Sequence, residues 1–209
     1  MDRSLLRQKQ TQMKKNPIEN IISEFERLIG FLSTGTFQEK IESAVSMISQ
    51  AIRSNNKIIV CGNGGSAADS QHLAGELVGR FQIERKPIPA IALTTNTSII
   101  TSIGNDYSFE KIFSRQTEAI GNKGDVLILF STSGRSKNVI EAVRSAKKKG
   151  IKTISITGAR PNKLADLSDI NLDVPSKSTP RIQEIHSIII HIICELLERK
   201  LFPDEIKKD

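Results

Sequence analysis

The chain has 209 residues, 38% of them hydrophobic and 4% aromatic with no tryptophan, and a formal charge of +7 at neutral pH. That length builds an aliphatic core in one large or two small domains, and the scarcity of aromatics excludes a base-stacking platform for single-stranded nucleic acid. Many basic residues gather at the ends (Arg3, Arg7, Lys9, Lys14, Lys15, then Lys200, Lys207, Lys208) and not along one helix face, which speaks for solvated termini and against a nucleic-acid partner.

The opening MDRSLLRQKQTQMKKN has no apolar signal segment, and no apolar run is long enough to span a bilayer, so no membrane role is expected. Cys61 and Cys194 are isolated and lack short metal spacing, which reads as reduced core thiols in a cytoplasmic protein. Residues 1–16 are read as a flexible basic extension. Asn16-Pro17 then predicts a capped helix carrying Ile18, Ile21, Ile22, Phe25, Leu28, Ile29 and Leu32. A break at Ser33-Thr34-Gly35-Thr36 precedes a second helix with Ile41, Val45, Ile48 and Ile52, ended by Ser54-Asn55-Asn56.

From Lys57 the pattern alternates. Ile58–Cys61 is an apolar strand, Gly62-Asn63-Gly64-Gly65-Ser66 a glycine turn, Ser66 a helix N-cap and Ala67–Val78 the helix. A short strand over 89–93 follows, then a turn at Gly104-Asn105-Asp106-Tyr107 and a helix over 109–119 with Phe109, Ile112, Phe113 and Ile120 on its apolar side. Val126–Phe130 is the most hydrophobic strand, followed by Ser131-Thr132-Ser133-Gly134-Arg135-Ser136, a helix over 138–149 and the helix-stopping Gly150. A strand over 151–156, a short helix over 163–167 and a strand over 170–174 lead to a long helix from Pro180 through Leu201. Five strands alternating with helices predict an α/β, doubly wound, mostly parallel sheet. The expected organisation is helices over 17–56, one compact unit with a domain over 57–203, and a tail at 204–209.

In such a sheet, ligands bind at the carboxyl ends of strands near the reversal of strand order. The Asn63–Ser66 turn opens a helix there, and Ser131, Thr132, Ser133 and Ser136 place four hydroxyls in six residues directly after the most buried strand. Free N–H groups and hydroxyls at helix starts suit a phosphate monoester, against the plainer reading of an ST-turn that caps a helix. Neither loop is a nucleoside-triphosphate or dinucleotide fingerprint. His72 and Glu76 stand four apart on one helix face, a pair suited to a metal or to proton transfer, or else one buried His and one solvated Glu. Gln183, Glu184, His186 and His191 interrupt the apolar last helix.

GNGGSAADSQHLAGEL, IGND, STSGRS and RIQEIHSIIIH, in that order over Ile18 to Leu201, resemble the phosphoheptose isomerases of the sugar isomerase (SIS) superfamily. The resemblance implies a flavodoxin-like sheet and conversion of sedoheptulose 7-phosphate to D-glycero-D-manno-heptose 7-phosphate, the entry to heptose for lipopolysaccharide core and related surface glycans. It implies one zinc ion at His72, Glu76, Gln183 and His191, with Glu76 as general base and His191 as general acid. It places sugar phosphate on Asn63, Gly64, Gly65, Ser66, Glu76, Arg80, Asn105, Asp106, Ser131, Thr132, Ser133, Ser136 and Gln183. Pro180 stands where an acidic helper can precede RIQE. A Glu that is a metal ligand is not a fully free base, so the two roles of Glu76 compete. The alternative is a non-catalytic SIS protein-binding factor of the type that associates with a replication initiator; such relatives tend to lose the acid/base pair, which this chain keeps. A sugar-phosphate-sensing regulator would need a DNA-binding domain as well.

One geometric expectation follows. Gln183 and His191 are eight residues apart on one predicted helix, about 12 Å along its axis, whereas ligands of one zinc lie a few Å apart. No Gly or Pro between them explains a break. The expectation is a homo-oligomer, the tetramer that the resemblance implies, with active sites shared between subunits.

Overall fold

A computed structural model describes residues 16–206. The expected extension at residues 1–16 lies, but for Asn16, outside the described residues. Helices α1 (Pro17–Leu32) and α2 (Gly35–Arg53) come first. Asn16 caps α1: its side chain accepts from Ile18 N–H at 3.0 Å, and Glu19 accepts from Asn16 N–H at 3.3 Å. Then follow β1 (Ile58–Cys61), α3 (Gly65–Val78), β2 (Ala90–Ala92), α4 (Thr97–Asp106), a 3-10 turn (Phe109–Lys111) that runs into α5 (Ile112–Ile120), β3 (Val126–Ser131) and α6 (Lys137–Lys148). The chain continues through β4 (Lys152–Thr157), α7 (Lys163–Leu167), β5 (Ile170–Asp173), α8 (Thr179–Leu201) and α9 (Pro203–Ile206).

All five strands are parallel, in the order β2-β1-β3-β4-β5. This is the doubly wound, flavodoxin-like order, and its switch point lies between β1 and β3. Strand alternation divides the core cleanly. Ile58, Val60, Val126, Ile128 and Phe130 face one layer with α2, α3 and α8, while Ile59, Cys61, Leu127 and Leu129 face the other with α5, α6 and α7. Both faces are therefore covered, which is why these strands read as continuous apolar runs. The loops after β1 and β3 flank the crevice at the switch point, and α3 packs against α8 beside it.

Several local expectations are corrected. Ser66 is not the N-cap of α3: Gly64, at φ +55°, starts the helix and leaves Ser66 buried in its first turn. Residues 104–107 are not a free turn, because Asn96 caps Ile99 N–H at 3.0 Å and α4 runs through Asp106. Phe109 is 61% exposed and not on an apolar face, since the 3-10 turn rotates it away from the core. Gly35 and Thr36 belong to α2, and the expected tail opens with α9. Among the described residues no helix is long and apolar enough to cross a membrane.

Candidate active site

The helix spacing of His72 and Glu76 puts both on the side of α3 that meets α8, and α8 brings His191 to them. His72 Nε2 lies 3.3 Å from Glu76 Oε1 and 3.3 Å from His191 Nε2. One ligand atom from each of the three lies within 4.8 Å of the others. Metal bonds of about 2.0–2.1 Å in tetrahedral geometry set two nitrogen ligands about 3.3 Å apart. The trio therefore fits a divalent ion and leaves coordination positions open, as a site that works on a bound molecule must. The rings of His72 and His191 meet edge to face, 5.0 Å apart at 87°, and the ring of Phe81 lies 5.4 Å from that of His191, tilted by 35°.

Gln183 is not part of this cluster. Helix α8 is continuous through both residues, and Gln183 stands over the glycine turn two helical turns from His191. A methyl group on Gly65 would lie 2.0 Å from Gln183 Nε2, so glycine at 65 makes room for this amide. Asn63 is committed locally: its amide exchanges two hydrogen bonds with Asn138, at 2.9 and 2.8 Å, tying the β1 loop to the start of α6 across the switch point.

In the β3 loop, Ser131 Oγ accepts from Gly134 N–H at 3.1 Å and lies 3.3 Å from Ser136 Oγ. Ser133 Oγ accepts from Arg135 N–H at 3.2 Å. Ser136 occupies the N-cap of α6 without a side-chain cap bond, so its hydroxyl is not spent on the helix. Thr132 and Ser133 line a hollow of about 450 Å³ whose charged lining residues are Arg135, Arg160 and Lys177, all cations. Another hollow, of about 620 Å³, lies at the amino edge of the sheet around Gly124, Val126 and Lys152, away from every candidate side chain.

The SIS domain model matches residues 24–158. A phosphoheptose isomerase of Clostridium acetobutylicum is 49% identical over 193 residues, 92% of this chain and 98% of its own length. The chain belongs to the phosphoheptose isomerase family. It is thus an aldose–ketose isomerase with a sugar-phosphate substrate. Among solved structures, the Neisseria gonorrhoeae phosphoheptose isomerase has TM-score 0.79 and 40% identity, covering 87% of this chain and 96% of that one. The Francisella tularensis enzyme has TM-score 0.81 and 35% identity, covering 88% and 99%.

Other motif positions of the family lie apart from the trio. Arg80 is exposed and pairs with Glu84 at 3.6 Å. Asn105 donates to Asp106 at 2.9 Å, and Asp106 lines a separate hollow of about 530 Å³ beside the edge strand β2. His186 is fully buried, its Nδ1 3.8 Å from Asp69 Oδ2, and belongs to the interior between α3 and α8.

Sequence reasoning missed Asn138, Phe81, the three cations of the serine-loop hollow, and a buried pair, Arg85 and Glu198. Nothing in the sequence singles out Glu198, which stands among Glu195, Arg199 and Lys200 near the end of α8. Burial raises the Glu198 carboxyl, but the N–H groups of Gln82, Phe81 and Ile83 together with Arg85 outweigh this and hold it below the usual glutamate range. Cys194 is pushed up to about 12, chiefly by burial and then by the charges of Glu76 and Glu198. Burial also pushes the Cys61 thiol up, and neither cysteine is bonded.

Proposed function

We propose that the protein isomerises sedoheptulose 7-phosphate to D-glycero-D-manno-heptose 7-phosphate in the cytoplasm, as heptose supply for a surface glycan. The observation that carries this reading is the convergence of His72, Glu76 and His191 from two helices beside the switch point. The phosphate end belongs on the serine loop, where hydroxyls, the start of α6 and the cations Arg135, Arg160 and Lys177 favour a dianion. The sugar then extends toward the trio, with Asn63, Gly64, Gly65, Ser66 and Arg80 along its path and Asn105 and Asp106 as further contacts.

Isomerisation moves one proton between C1 and C2 of the open-chain sugar through an enediol. Glu76 takes the proton from C1 and returns it to C2, while His191 protonates the C2 oxygen and recovers the proton that the C1 hydroxyl gives up, so both groups end as they began. His72, Glu76 and His191 would hold zinc, with Gln183 from a neighbouring subunit as a further ligand. Bound there, zinc supplies Lewis-acid polarisation of the sugar oxygens. Glu76, 27% exposed and only 3.3 Å from His72, is within reach of both roles and alternates between them.

The sites are shared between subunits of a tetramer. The continuous α8 keeps Gln183 away from the trio of its own chain, and α1 turns Ile18, Ile21 and Ile22 outward at 66%, 45% and 50% exposure, an apolar face suited to a second copy. Product analysis after incubating purified protein with sedoheptulose 7-phosphate tests the activity; absence of the aldose product refutes it. Mixing Gln183→Ala and His191→Ala proteins through dissociation and reassembly tests the sharing. Restored activity is expected, and confirmed hetero-oligomers without activity refute it.

A further inference from the structure

Helix α3, which carries His72 and Glu76, ends in an unusual way. Its closing residue Gly79 has φ −75° and ψ −116°, not the left-handed geometry that commonly satisfies the last carbonyls. A guanidinium satisfies them instead. Arg85 Nη2 donates to the carbonyl of Glu76 at 2.8 Å, and Nη1 to those of Leu77, Gly79 and Lys86 at 2.9, 3.1 and 3.2 Å. Arg85 Nε donates to Glu198 Oε1 at 3.0 Å. The Glu198 carboxylate also accepts from Phe81, Gln82 and Ile83 N–H at 2.9, 2.9 and 3.2 Å. The two side chains are 1% and 3% exposed.

Stability alone does not call for this arrangement, because well-packed apolar side chains of similar volume often replace a buried ion pair without loss. Apolar side chains cannot, however, hold four carbonyls and three N–H groups in place. The segment so held carries Phe81, whose ring lies 5.4 Å from that of His191 at 35°, while His72 meets His191 edge-on. The exposed imidazole thus has two ring contacts, one of them on the segment that the ion pair holds.

We infer that Arg85, Glu198 and Phe81 are positioning residues of the isomerase. The ion pair fixes the main chain at Glu76 and presses Phe81 against His191, which gives the acid one orientation toward the base. The inference rests on reading Glu76 and His191 as base and acid. None of the three positioning residues touches the reacting atoms.

The test uses the double variant Arg85→Met with Glu198→Leu, and singly Phe81→Leu, Phe81→Tyr and Glu198→Gln. In the full-length oligomer the double variant loses the side chains that satisfy these seven main-chain groups, so it should melt below wild type, and it is assayed at a temperature where it is still folded. Its kcat should fall about 10- to 100-fold, the scale of ångström-level misplacement, with KM nearly unchanged. Phe81→Leu should lower kcat in the same way and Phe81→Tyr should restore it. The chain has only 3 histidines, so the His191 ring protons are assignable by substitution. The ring-current shift that Phe81 imposes on them should vanish in Phe81→Leu and in the double variant. Wild-type kcat in the folded double variant, or an unchanged His191 ring shift, overturns the inference. If the double variant does not fold, Phe81→Leu and Glu198→Gln decide by the same readouts. If the wild-type protein proves not to isomerise the heptose phosphate, the proposed function falls, and the His191 ring shift still decides whether the clamp orients that ring.

Discussion

Substituting Gly134 by Ala tests how the serine loop is built. Gly134 sits at φ +60°, a conformation that costs an L-residue about 1–2 kcal/mol. The added Cβ would lie 2.1 Å from Asn162 Oδ1 and 2.6 Å from Asn162 Cβ. Asn162 is 5% exposed and has little room to retreat. Its carbonyl oxygen caps α7 at Ala165 N–H, 2.9 Å, and its amide donates to Thr157 Oγ1 at 3.2 Å. Losing both adds about 1 kcal/mol each, for a total of about 3 kcal/mol. In a chain of this size that lowers the melting temperature by about 6–12 °C. Gly150→Ala is the control: φ is +69° and the new methyl meets only the exposed, flexible Lys123 side chain, at 3.2 Å, so the backbone cost of about 1–2 kcal/mol dominates. Thermal and urea denaturation of both variants at one protein concentration measures the difference. Equal losses would refute the role given to Asn162.

Glu76→Gln should fold normally, being nearly isosteric, and lose about 10²- to 10⁴-fold in isomerase turnover; wild-type turnover in the folded variant sinks the assignment. Ser133→Ala with Ser136→Ala should weaken sugar-phosphate binding by calorimetry while leaving thermal stability nearly unchanged, since neither hydroxyl caps a helix from its side chain. The Glu198 carboxyl is depressed in the folded chain, so its contribution to stability is full above the ordinary glutamate value of about 4.3 and is lost as pH falls through the lower folded value. Glu198→Gln should accordingly flatten the acid limb of the stability–pH curve, and an unaltered limb in urea titrations contradicts the pairing.

The layer order was legible because β1 and β3 are short apolar runs and α1, α2 and α6 show a 3.6-residue period. The trio was legible in part: His72 and Glu76 announce a shared face by their spacing, but only the family motif singled out His191 over His186. In the structure the difference is physical, His186 being fully buried against Phe130 and His191 open beside Phe81. Ser66 misled because serine is a good cap by type, whereas Gly64 takes the positive φ that starts the helix two residues earlier. The Arg85–Glu198 clamp was invisible: its partners are 113 residues apart, and a charge at either position reads as a solvated surface.

The meeting of His72 and His191 spans 119 residues of chain, and this dictates when the site exists. Helix α8 leaves the ribosome after all five strands, and it also supplies Ile182, Ile185, Ile189, Ile190, Ile193 and Leu197 to one side of the sheet. A nascent chain that ends before Thr179 can pair its strands, yet that side is then covered by α2 and α3 without their third partner, leaving apolar surface of the kind that recruits chaperones or aggregates. Long-range closure of this kind is slow relative to local helix formation. Docking of α8 therefore shields the sheet and assembles the histidine pair in one event, so metal uptake in refolding should lag the gain of helical signal and coincide with loss of exposed apolar surface.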